Sequence, residues 1–302
     1  MVRLIKYIGI IFFTALFYLQ KIEAMNLSFS NIKKTVINFN EKIRRQNIVA
    51  DSTLQLKLVK TIKGDFKDFA IDNLGNVFLL STSNQIKKLD SKYDSVAIFN
   101  DSKRFGNVFS IDVSNPLRVL VYYKDFATIL MLDRQLNTKN VIDLRQQNIF
   151  QVSAIAQSFD NRIWLFDEEE NKLKKIDEYG KVLLETPDFR ILFDGTPIYV
   201  PNKIIDMNGL LYLYHPKGGW KLFDYYGGFK TQYAFLNWQD VSVEDGFLQG
   251  HNQSTFLIER PKNLQSLTFN TNIDLNRARK VMVRQDTFYL LTQIGFEIYT
   301  SL

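Results

Sequence analysis

Phe69-Ala70-Ile71-Asp72-Asn73-Leu74-Gly75-Asn76-Val77-Phe78-Leu79-Leu80, followed after a polar gap by Gln85-Ile86-Lys87-Lys88-Leu89-Asp90, is the stretch on which the fold turns. Two apolar runs flank a turn in which Gly75 and Asn76 tolerate positive φ, the condition for a short hairpin between β-favouring segments. A third run closes on Asp90. The phrase returns over 154–177, with Phe159-Asp160-Asn161 as the turn, and over 204–224 around Met207-Asn208-Gly209. Leu89-Asp90, Leu132-Asp133, Ile176-Asp177 and Phe223-Asp224 are its closing points. An interval of roughly 40 residues holds four short strands and their turns, so each interval predicts one small sheet.

After each closing Asp the spacing predicts a second turn and a fourth strand: 96–99, 141–144, 181–185 and 231–235. In Asp177-Glu178-Tyr179-Gly180 and Asp224-Tyr225-Tyr226-Gly227 the carboxylate accepts from backbone two or three residues on, and Gly supplies the left-handed position. Weaker copies start near Phe109, Val241 and Val281, which makes six units. The last offers Lys280 to Val283, Thr287 to Leu291 and Phe296 to Tyr299, then ends at Leu302 without a fourth strand. Leu54 to Ile62, with Leu54, Leu56, Leu58 and Ile62 alternating, precedes the first unit as a strand without a partner. Pairing these two remnants closes a ring of sheets and removes exposed edges.

The first 24 residues stand apart. Arg3 and Lys6, the apolar stretch Ile8 to Leu19, and the polar exit Gln20 to Ala24 have the layout of a secretory signal peptide. That stretch is about 12 residues, against the roughly 20 needed to span a bilayer. The chain is therefore expected to be exported, to the periplasm or the exterior, with association to an envelope complex if the leader stays as an anchor. Residues 25–53 read as a linker: Ile32, Val36, Phe39 and Ile43 recur at helical spacing, while Thr35 to Phe39 also alternates as a strand would. Residues 54–302 form the repeat domain.

No cysteine occurs, so export brings no disulfide and no lipid anchor on Cys. A hydrophobic content of 46%, with 25 Phe and 14 Tyr, supplies one large core instead. Loss of Arg3, Lys6, Lys21 and Glu23 with the leader lowers the formal charge from +6 to +4. An excess of that size spread over the chain is ordinary for a solvated surface and falls short of a nucleic-acid footprint, which gathers Lys and Arg on one face.

Ile71-Asp72 through Gly75-Asn76-Val77-Phe78-Leu79 with Ile86 to Asp90, and Ile155 to Gly180 with Asn161, Ile163 and Asn171, resemble NHL-type repeats. Units two, five and six depart from that pattern. The resemblance implies an all-β, six-bladed β-propeller of four-stranded antiparallel blades, and no particular reaction. It also implies that connections between blades share a face with those joining second to third strands, and that related propellers bind there. On that face fall Arg104, Phe105, Tyr123, Phe150 and Arg190, then Tyr199, His215, Lys217, Trp238 and His251, with the long connection Pro187 to Asn202. Aromatic and charged residues on loops over a rigid scaffold are where recognition tends to reside.

Chemistry leaves fewer marks. His215 and His251 are the two histidines, and a metal site needs three or four ligands. Asp72, Asp112 and Asp206 are expected to cap turns at the ends of innermost strands. Asp167-Glu168-Glu169-Glu170 reads as a solvated loop, since a calcium loop needs a Gly for its bend. The aromatic stretch Tyr212 to Trp238 divides between core packing and a contact patch. No phosphate loop, dinucleotide fingerprint, HExxH, nucleophile elbow or Cys nucleophile occurs. The expectation is a monomeric binding scaffold without catalysis or cofactor, for a protein or carbohydrate ligand. The alternative is a lactonase-like hydrolase or lyase with a metal at the channel mouth.

Overall fold

The computed structural model describes residues 53–261 and 265–302, so the leader and most of the 25–53 linker lie outside the described residues. The described residues form six sheets built on four antiparallel strands each, one of them extended by a fifth, two-residue strand. Blade 1 is Phe66–Ile71, Val77–Ser81, Ile86–Leu89 and Ser95–Phe99. Blade 2 is Ser110–Asn115, Arg118–Tyr123, Thr128–Asp133 and Thr138–Asp143. Blade 3 is Val152–Gln157, Ile163–Asp167, Lys172–Ile176 and Val182–Glu185. Blade 4 is Lys203–Met207, Leu210–His215, Gly219–Asp224 and Phe229–Tyr233. Blade 5 is Gln239–Glu244, Phe247–Asn252, Thr255–Arg260 and Gln265–Thr271. Blade 6 takes Lys280–Arg284, Thr287–Leu291 and Gly295–Ser301 from the end of the chain and Leu56–Lys63 from its beginning. First strands of blades 1 to 5 lie against one another in order around the hub. The fold is a six-bladed β-propeller.

Closure joins the two remnants in register: Leu56 pairs with Ser301, Ile62 with Phe296 and Lys63 with Gly295. Gly295 is required there, because at φ 144° an added Cβ would sit 2.3 Å from the Ile62 carbonyl oxygen. The expected single strand over 54–62 is divided at Gln55. Thr53–Leu54 runs parallel to the outer strand of blade 5, pairing Thr53 with Asn270. Asn272 then grips the passing chain: its Oδ1 accepts from Leu56 N–H at 2.8 Å and its Nδ2 donates to Leu56 C=O at 3.2 Å.

The core is divided into packets between neighbouring blades, where composition alone suggested one mass. Phe78, Leu80 and Ile86 of blade 1 pack with Val119, Val121 and Leu130 of blade 2. Phe69, Val77 and Leu79 pack the other way, against Leu291, Phe296 and Ile298 of blade 6. Alternation sends side chains to both faces, and both faces are covered, so inner strands such as Val77–Leu80 read as continuous apolar runs. Polar stitches cross the seams. Asp112 Oδ2 accepts Gln157 N–H at 2.8 Å, Asp240 Oδ2 accepts Val281 N–H at 2.7 Å, and Arg279 donates to the Phe66 carbonyl at 2.8 Å.

The closing aspartates do what their recurrence predicts. Oδ1 of Asp90, Asp133, Asp177 and Asp224 each accepts the N–H groups of the second and fourth residues beyond it, at 2.8–3.0 Å. At Asp133 the Asn137 N–H, with the Asn137 amide, Lys139 and the Gln135 N–H adding to it, lowers the carboxyl pKa to about 2. The folded value lies below the unfolded one of about 3.9, so the support this turn gives is present above about pH 4 and lost as pH falls through about 2. A carboxyl-carbon NMR titration of Asp133 should show that midpoint; a midpoint above about 3.5 would contradict the turn geometry.

Asp72 caps its turn as expected, accepting from Leu74 N, Asn76 N and Asn76 Nδ2. Asp112 caps its turn as well, accepting from Ser114 N–H at 2.8 Å, and both Asp112 and Asp206 also reach a neighbouring blade. Asp112 binds the Gln157 N–H, and Asp206 accepts from the Ser158 hydroxyl of blade 3 and the Tyr225 hydroxyl at 2.7 Å. Burial pushes the Asp206 carboxyl up, and these two hydroxyls act against that rise.

Candidate functional site

Connections between blades and those from second to third strands emerge at one end of the blades; the tight Asp turns and the hairpins after the first strands lie at the other. The ten residues assigned to the first end divide by burial. Arg104, Phe150, Arg190 and Lys217 are exposed, Tyr199 and His215 half-buried, and Phe105, Tyr123, Trp238 and His251 buried.

The buried four are packing residues. Phe105, from the short helix Ser102–Phe105, meets the Tyr123 ring at 5.3 Å in the packet between blades 1 and 2. Trp238 stacks on Phe235 at 5.2 Å and meets Trp220 edge-on. Its backbone is held from both sides by the Tyr214 hydroxyl, which accepts from Trp238 N–H at 2.7 Å and donates to Trp238 C=O at 3.1 Å. His251 and His215 hold different positions in their hairpins. In blade 4 the hairpin closes on the pair His215–Gly219, in blade 5 on Asn252–Thr255, so His251 is one residue further inside its strand. A one-residue offset turns a side chain to the other face. Its Nε2 lies 2.9 Å from Asp240 Oδ2.

Between blades 3 and 4 the long connection is built rigidly. Asp188 caps the short helix Phe189–Leu192 by accepting from Arg190 N–H at 2.8 Å, and its carboxylate also holds the Arg190 guanidinium. Phe189 is buried against Phe166 and Phe223. The following stretch lays Tyr199 flat on His215, with ring centroids 5.2 Å apart. His215 Nδ1 accepts the Lys217 N–H, and partial burial followed by Lys217 and Lys221 holds its pKa below the ordinary range, so it is a neutral ring at pH 7.

Aromatic exposure at this end extends beyond the residues read from sequence. Phe109, Phe126 and Phe150 are 48%, 43% and 48% exposed, on three connections around blade 2. Lys124 sits 5.2 Å over the Phe109 ring and pairs with Glu168 of blade 3 at 2.7 Å. The sequence signal for Phe126 is an aromatic between Asp125 and a turn-forming Ala127, at φ 45°, where a core position would sit inside a strand.

Beneath this face, charged side chains line the hub. Lys280 pairs with Asp68 at 2.6 Å across the seam of blades 6 and 1. Lys203 is exposed at the start of its strand, and the surrounding protein followed by Lys280 lowers its ammonium pKa below the usual lysine range; Asp112, Asp68 and Asp240 act in the opposite sense. Asp68 and Asp240 are charges inside first strands, a signal legible in the sequence once those strands are known to face an axis. In the acidic run Glu169 and Glu170 are exposed as expected, and Asp167 departs from the solvated-loop expectation. Asp167 is buried and paired with buried Lys174 at 2.7 Å, while Glu168 and Glu170 pair with Lys124 and Lys172.

Solved structures share this architecture. A streptogramin B lyase is similar at 12% identity over 78% of this chain and 78% of its own, with a TM-score of 0.54. Virginiamycin B lyase from Staphylococcus aureus is similar at 14% identity over 78% and 79%, TM-score 0.54. The Pan2 WD40 domain of Neurospora crassa is similar at 12% identity over 83% and 95%, TM-score 0.52. No family model and no curated protein matches the sequence. At such identities the likeness is one of fold, and a propeller hosts many functions.

Proposed function

We propose that this chain is an exported propeller of NHL-like repeats that works as a binding scaffold, presenting its interblade loop face to a protein or a carbohydrate. The observation that carries this reading is the trio Phe109, Phe126 and Phe150, exposed on three neighbouring connections of one face. Apolar aromatic surface held on rigid loops is the usual anchor of a recognition site, because it buries much area at little entropic cost. The rigid Asp188-capped loop and the Tyr199–His215 stack extend the same face across blades 3 and 4. At the opposite end, exposed Tyr179 and Tyr226 occupy the same position of a repeated Asp turn, which marks them as part of the repeat. The leader-like Ile8 to Leu19 stretch supports export.

The triple variant F109S/F126S/F150S tests the face. Glycan and peptide arrays probed with the parent protein should yield a binder that the variant holds at least about 100-fold more weakly, since central aromatics contribute about 1–3 kcal/mol each. Thermal unfolding should be unchanged. A binder retained by the variant would move recognition off this face.

The metal-dependent alternative finds little support in the residues present. His215 lies against Tyr199 in an outer loop while His251 is bonded to Asp240, and among the described residues no three His, Cys, Asp or Glu side chains converge as a metal site.

A further inference from the structure

Blades 4 and 5 do not close completely on one another. Between them lies a cavity of about 220 Å³, opening among the hairpin turns at the end opposite the loop face. Its floor is apolar: Leu210 and Leu222 from blade 4 and Leu248 from blade 5. Tyr212 forms one wall. Only 5% of this residue is exposed, and Tyr233 also lines the cavity. A tyrosine hydroxyl both donates and accepts, so the two phenols bring polar groups to an otherwise apolar space.

Two opposite charges border the same space. Asp245 is in the hairpin turn between the first two strands of blade 5, in the left-handed conformation at φ 49°. The Arg260 guanidinium rests 4.8 Å over the Phe247 ring. Neither is ion-paired among the described residues, and they do not bridge each other although both line the cavity. A cation and an anion at the border of an apolar pocket match a molecule that carries both charges at one end and a hydrocarbon at the other. An apolar cavity of about 150 Å³ accepts benzene; this one has room for a molecule moderately larger.

We propose that this cavity binds a free aliphatic α-amino acid of leucine size. The carboxylate meets Arg260 and the tyrosine hydroxyls, the ammonium meets Asp245, and the side chain lies on the three leucines. The site is independent of the loop-face reading, since it uses none of the same residues.

Calorimetric titration of the purified protein with L-leucine, 4-methylpentanoate and 3-methylbutylamine tests the assignment. Leucine should bind with one-to-one saturation, and the acid and the amine, each lacking one charge, should bind at least about tenfold more weakly. Arg260→Gln should erase the preference for leucine over the amine, and Asp245→Asn the preference over the acid. Asn is at home at positive φ, so that variant keeps the turn. Tyr212→Phe, which keeps the ring, should weaken leucine several-fold. No saturation by about 10 mM leucine, equal binding of the acid or the amine, or preferences unchanged in R260Q and D245N would each overturn the proposal.

Discussion

A chain that starts at Gly64 is expected to lose the cooperative thermal transition of its parent and to elute as aggregate. The reason is the mixed origin of blade 6. Leu56–Lys63 is its outer strand, and without it the edge Gly295–Ser301 is bare along its whole length. Leu56 is buried, and burying such a side chain is worth about 1.5–3 kcal/mol. The ladder from Leu56–Ser301 to Lys63–Gly295 adds several hydrogen bonds at about 0.5–1.5 kcal/mol each. Asn272 loses both of its contacts to Leu56. Together these reach about 5–10 kcal/mol, comparable with the whole stability of an ordinary domain. An unpaired edge of that length also recruits other chains. A peptide spanning 53–63 added during refolding should restore a soluble, cooperative species. If the truncated chain remains monomeric and melts within about 5 °C of the parent, closure by the N-terminal strand is not what holds the ring.

The second large effect is expected at Lys174. Its Nζ is 2.7 Å from Asp167 Oδ2, with only 5% and 1% of the two side chains exposed. Lys174→Met leaves Asp167 with the Glu169 and Glu170 N–H groups as its remaining donors. Removing one partner of a buried pair costs about 3–5 kcal/mol, because the other charge stays desolvated and uncompensated. For a domain of this size that corresponds to a fall in Tm of about 6–20 °C. The double variant K174M/D167L, with neither charge, should recover most of the loss. Differential scanning calorimetry separates the outcomes: a single variant as stable as the parent, or a double variant no better than the single, would show that the pair is solvated.

Much of the architecture was legible in the residues. The turns around Gly75-Asn76 and Asn208-Gly209, the four closing aspartates and the missing fourth strand of the last unit are local features, and local physics fixes them. Boundaries moved where pairing intervened. The outer strand of blade 4 begins at Phe229, not Thr231, beside a register shift between Leu222 and Phe223. The outer strand of blade 2 begins at Thr138, not Val141, and is also shifted against its neighbour.

The loop face was legible only in part. Arg104, Phe150, Arg190 and Lys217 are exposed where the spacing put them in loops. Tyr123, Trp238 and His251 sit within a residue or two of the same loops and point inward. Nothing local distinguishes the two groups, since in a propeller both faces of each inner strand are covered and an aromatic beside a loop can join either packet.

By itself the sequence determined the strands, the turns, the count of six and the pairing of the two chain ends, because these follow from backbone preference, Asp and Gly turn chemistry and the need to cover an edge. Only the tertiary structure decided which side chains face a neighbouring blade, the hub or solvent. That choice depends on the phase of each strand against its neighbours, and the gap that opens the cavity beside Tyr212 arises where two such phases meet without filling the space between them.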